Sequence, residues 1–166
     1  TGAARSWRAK LVNFLVSQAV YLACVLGAAR GAPGLGPLVA VVLLPVNLVF
    51  VADRARELRL WMLAGAVGLA LDSALLAAGL IDFPAAARLA PDAGWPHALV
   101  PLWILTLWVA FGSLLTSSLA WLGGSVAAAV VFGAVGGPLS FWSGSRLGAT
   151  ELPRDWASFL ALGLEY

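Results

Sequence analysis

Apolar residues in this chain come in long, nearly charge-free runs rather than in the strict alternation of half-buried strands or the polar-backed stripes of soluble helices. An uncharged run of about twenty residues, rising 1.5 Å per helical residue, matches a hydrocarbon core about 30 Å thick. Five runs of this kind are present, at residues 11–29, 35–52, 60–81, 98–122 and 125 to about 143. A further stretch, residues 156–166, reaches only about 16 Å and reads as a sixth helix cut short by the end of the sequence rather than as an interfacial piece. The expected fold class is therefore all-α: a polytopic transmembrane helix bundle with five full spans plus a short or truncated sixth, in a single integral membrane domain over residues 1–166. Within the second run, Pro37 suits a first turn, whereas Pro45 lies deeper and predicts a kink. A cleaved signal peptide, suggested by the basic start and the small residues near Ala28, is the rival reading of the first run, and its nineteen residues, longer than a usual signal core, favour a retained span.

Composition sharpens the class. Of 166 residues, 61% are hydrophobic and 11% charged, against about 45–50% and about 25% in soluble domains. The net charge of +2 is too small and too scattered for a nucleic-acid footprint. With one cysteine, Cys24, and one histidine, His97, a disulfide framework and a zinc or iron–sulfur site are excluded, and no metal or cofactor is expected. Basic residues set the orientation. Arg5, Arg8 and Lys10 precede the first run and Arg54, Arg56 and Arg59 separate the second from the third, which predicts a cytoplasmic N-terminus; Arg30, Arg88, Arg146 and Arg154 fall on the opposite side. The outside loop, residues 82–97, carries Pro84, Pro91, Pro96 and Trp95. Trp7, Trp61, Trp95, Trp121, Trp142 and Trp156 lie near run ends, where interfacial anchoring explains them. The segment 53–59 reads as a solvated turn that sets topology and touches anionic headgroups.

Few residues are left to carry chemistry. Asp72 sits well inside the third run, where an ionised carboxylate costs at least about 2.5–3.5 kcal/mol. It is either a hydrogen-bonded packing group or a group facing a cavity. Asn13, Ser17, Tyr21 and Cys24 share one face of the first helix, with Gln18 beside it; together with Asn47 and Asp72 they form either an interhelical polar network or the polar wall of a binding site. Trp103 and Trp108 either pack or wall an apolar pocket. Gly133, Gly136, Gly137, Ser140, Gly144 and Gly148 lie in small-residue rows that predict close helix packing, or else, around Pro138, a broken helix offering backbone groups to a ligand. The cluster Thr116, Ser117 and Ser118 lacks the setting of a nucleophile elbow, and His97 lies at the outer edge, so no catalytic residue is assigned.

The residues Asn13, Gln18, Tyr21, Cys24 and Asp72, the Pro101-Leu102-Trp103 stretch with Trp108 and Phe111, the segment 118–122 and above all the segment 136–149 carry a resemblance. Through them the chain resembles a small family of bacterial inner-membrane proteins catalogued as domain of unknown function 2878. The resemblance implies a multi-pass inner-membrane protein in a membrane-lipid context, but no defined reaction. The expected function is a non-enzymatic bundle that binds or helps pass a small lipophilic molecule, or assists lipid-modifying partners in the membrane. The alternatives are an assembly subunit docking through small-residue helix faces and, with less support, a lipid-modifying enzyme using Asp72. A binding bundle should hold a cavity with Asp72 and at least one of Asn13, Gln18 or Asn47 on its wall.

Overall fold

A computed structural model of the chain describes residues 2–90, 94–153 and 155–165. Pro91, Arg154 and Tyr166 lie outside the described residues. Six α-helices are found among them: α1 (Gly2–Ala29), α2 (Leu35–Leu43), α3 (Arg54–Ala77), α4 (Leu102–Leu115), α5 (Val126–Leu147) and α6 (Asp155–Glu165). Three are long and apolar enough to cross a membrane, through Trp7–Ala29, Arg54–Ala77 and Val126–Leu147.

The second and fourth apolar runs give shorter elements than expected. Pro45, which lacks an N–H and clashes with the preceding turn, falls where α2 gives way to a 3₁₀ segment, Leu44–Val49, so the expected kink takes the form of a change of helix type. The fourth run, the longest in sequence, yields only the 14 residues of α4, or about 21 Å of helix. Pro101 precedes its first turn. At the other end the hydroxyls of Thr116 and Ser118 bond to other helices, and Leu119 N–H closes back on the Leu114 carbonyl at 2.8 Å. Hydropathy registers the apolar residues of that turn but not its hydrogen bonds.

Caps set the long helices. Asp53 accepts from Arg56 N–H at 2.9 Å to start α3, and Ser125 accepts from Ala128 N–H at 3.2 Å to start α5. Gly148, at φ 82°, ends α5 in the left-handed conformation that favours glycine. Pro138 lies inside α5, yet the helix runs through it unbroken, so the broken-helix alternative does not hold. Pro138 deprives the Ala134 carbonyl of its intrahelical donor, and α6 packs at that point: a Cβ on Gly163 would lie 3.2 Å from the Ala134 oxygen.

Helices α1 to α4 form the main body. Helices α3 and α4 pack closely, with Gly65 facing Val109 and Leu105, Gly112 facing Ala64 and Trp61, and a Cβ on Gly68 lying 2.0 Å from the Trp108 indole. Gly36 in α2 abuts Cys24 of α1 in the same way. The α5–α6 hairpin joins this body through α1 and through the loops: Tyr21 Oη lies 3.0 Å from Ser143 Oγ, the Ser158 hydroxyl donates to the Leu80 carbonyl, and the backbones of Asp82 and Glu151 pair antiparallel.

Candidate ligand pocket

Helix α4 supplies most of one wall of a partly open cavity of about 370 Å³. Trp103, Leu107, Trp108, Phe111 and Leu114 recur at the three- and four-residue spacing that stacks side chains on one helical face. Helix α1 adds Ser17, Gln18, Tyr21 and Val25, and α5 closes the other side with Phe132, Gly133, Gly136, Gly137, Ser140, Phe141 and Gly144. Ligand sites of roughly 300–1,000 Å³, mostly apolar with a few placed polar groups, are the common form.

Both wall tryptophans are fixed from behind. Trp103 Nε1 donates to the Ala87 carbonyl at 2.9 Å, and its ring meets Phe83 edge-on with centroids 5.8 Å apart. Trp108 Nε1 donates to Asp72 Oδ2 at 2.6 Å, and its ring lies on the α3 backbone in the gap left by Gly68. Asp72 borders the cavity but is 0% exposed, so it acts on the cavity through Trp108 rather than by offering its carboxyl to a guest. At one end Thr150 folds over Gly144 and donates to the Phe141 carbonyl at 3.0 Å, which closes the pocket there.

The residues singled out from sequence divide into two groups. Gln18, Tyr21, Asp72, Trp103 and Trp108 come together on this cavity. Asn13 and Asn47 do not line it. Asn13 lies lower on α1, donating to the Ser113 carbonyl at 2.9 Å and accepting from Ser118 Oγ at 2.8 Å, so it bolts α1 to the end of α4. Asn47 is buried in the 3₁₀ segment, and its amide atoms make no hydrogen bond among the described residues. One shared network of Asn13, Gln18, Asn47 and Asp72 does not form. Of the α5 small residues, Gly133, Gly136, Gly137, Ser140 and Gly144 line the cavity, and a Cβ at Gly136 would meet nothing within 4 Å; Gly148 is the C-cap.

Several residues of the pocket and of the α3–α4 contact went unread in the sequence. Phe132, Phe141 and Thr150 belong to the pocket, although only a helical projection of α5 and the fold-back after Gly148 would have placed them. Glu57, taken for part of a solvated turn, is 4% exposed in the first turn of α3. It accepts from Trp61 Nε1 at 2.8 Å, and the Thr116 hydroxyl lies 2.8 Å from both its oxygens. Trp61 is therefore buried and bonded rather than an exposed anchor. Its i,i+4 spacing from Glu57 was the legible sign.

Fold and site together define an all-helical protein with helices long and apolar enough to cross a membrane and an apolar, aromatic-walled pocket between α1, α4 and α5. The chain belongs to the family described as Protein of unknown function (DUF2878), whose profile matches residues 10–165. No curated protein and no solved structure matches it.

Proposed function

We propose that this protein is a non-enzymatic, multi-pass protein of the bacterial inner membrane that binds a small lipophilic molecule in the pocket between α1, α4 and α5. The observation that carries this reading is the 370 Å³ cavity itself, lined by aromatic and aliphatic side chains at the level of the long apolar helices. Among the described residues, no nucleophile with a base beside it faces the cavity, and the one acid at its edge is buried against an indole. Close packing would have filled such a space if shape alone were at stake. A cytoplasmic N-terminus is part of the proposal; it is supported by the basic residues of two segments, since Ser118 and Thr116, just after α4, bond to Lys10 and Glu57 and so bring the segments of Lys10 and Arg54–Arg59 near each other.

A cavity-filling variant tests the reading. Gly136→Leu places a side chain where a Cβ meets open space, so it should occupy the pocket without disturbing the helices. Native mass spectrometry of the full chain released from membranes should find a small molecule retained by the wild type and absent from Gly136→Leu, with both proteins unfolding at the same temperature. Equal retention by a folded Gly136→Leu would contradict the proposal.

A further inference from the structure

Polar groups on the pocket wall differ in whether they are already engaged. Ser17 lies 3.5 Å from Ser113 Oγ, Tyr21 bonds Ser143, Thr150 donates to the Phe141 carbonyl, and Trp103 and Trp108 donate to Ala87 and Asp72. Two remain, the Gln18 amide and the Ser140 hydroxyl, which make no hydrogen bond to the described residues. Both are uncharged. Gln18 lies in the middle of the apolar part of α1, where an amide normally finds a partner. Among the described residues, no Lys, Arg or His borders the cavity, and the one carboxyl there is enclosed behind Trp108. An ionised headgroup would therefore enter an apolar site with no opposite charge to offset its desolvation.

The cavity is partly open, and α4 and α5, which supply opposite walls, are not among the closely packed helix pairs; Gly136 leaves the α5 wall bare. At roughly 30 Å³ per water-sized group, 370 Å³ holds about a dozen heavy atoms.

From these observations we infer that the pocket takes an uncharged amphiphile, an aliphatic chain ending in a hydroxyl or carbonyl group, which enters from the lipid between α4 and α5 and is read by the Gln18 amide. The inference rests on the ligand-binding reading above and adds the chemical class of the ligand. The amide suits either end group, because it both donates and accepts.

Equilibrium binding of radiolabelled 1-dodecanol and radiolabelled dodecanoate to the full chain in zwitterionic nanodiscs tests it, at about pH 9, where the carboxyl is ionised. The alcohol should bind saturably above empty nanodiscs and the carboxylate at least about tenfold more weakly. Gln18→Leu should weaken the alcohol about tenfold, the loss of one hydrogen bond in an apolar site, while Gly136→Leu abolishes binding. Dodecanoate bound as tightly as the alcohol, with both lost in Gly136→Leu, would overturn the uncharged class and leave the pocket reading standing. An unchanged affinity in Gln18→Leu would overturn the role of Gln18. Absence of saturable binding by either probe, or binding unaffected by Gly136→Leu, would overturn the inference and the pocket reading together.

Discussion

Asp72 shows how a residue conspicuous in sequence acquires a specific physical role. An acid inside an apolar run must be bonded, and here it accepts from a buried indole at 2.6 Å. The carboxyl group keeps Trp108 seated on Gly68 with one face toward the cavity, which makes Asp72 a positioning residue. Asp72→Leu leaves a buried N–H without that acceptor and should destabilise the protein by about 1–3 kcal/mol, while Asp72→Asn, which keeps a carbonyl oxygen, should recover most of it. Reversible unfolding in detergent checks the pair, and equal stability of Asp72→Leu and wild type would remove this role. Glu57 presents a parallel case at the other end of the α3–α4 interface, and Thr116→Val should cost about 1–2 kcal/mol by removing its second donor. An unchanged unfolding midpoint in Thr116→Val would show that the bond contributes nothing.

At the scale of elements, the glycines separate packing from space. Gly68→Ala should cost about 1–3 kcal/mol, since its methyl would collide with an indole that Asp72 holds in place. Gly136→Ala, with nothing within 4 Å of the added methyl, should lie within about 0.5 kcal/mol of wild type. Equal effects of the two would show that the α3–α4 contact is looser than described. The small-residue rows at residues 133–148 predicted close helix packing, whereas Gly133, Gly136, Gly137, Ser140 and Gly144 line the cavity and a Cβ on Gly136 would meet nothing within 4 Å; the sequence could not say what lay opposite them. Conversely, Gly65, Gly68 and Gly112 make the tight contacts without belonging to a row that stands out. Helix ends were legible where a cap or glycine is local, as at Asp53, Ser125 and Gly148. They were not legible at Thr116, because the partners of that turn are distant in sequence: Glu57, Lys10 and Asn13.

For the whole molecule, scarcity of charge disclosed an all-helical, apolar chain, and the position of the few polar residues disclosed much of the pocket. Gln18, Tyr21, Asp72, Trp103 and Trp108 were all visible as exceptions to an apolar pattern. Asn13 and Asn47 were equally exceptional yet lie elsewhere, since polarity in a run signals a need for partners and not where those partners are. Of the five expected spans, three are helices long and apolar enough to cross a membrane, and the other two give shorter apolar helices, because hydropathy sums residues while Pro45 and the hydroxyls after Leu115 decide how far a helix continues. If the space between α1, α4 and α5 holds a lipophilic guest, photolabelling in vesicles with a diazirine-bearing dodecanol, followed by mapping of the labelled residues, should mark the walls of that space. Label concentrated on Leu107, Phe111, Phe132 and Gly136, and displaced by excess dodecanol, is the expected result. Label spread without displacement over outward residues such as Val126 and Leu164, which are 82% and 87% exposed, would contradict it.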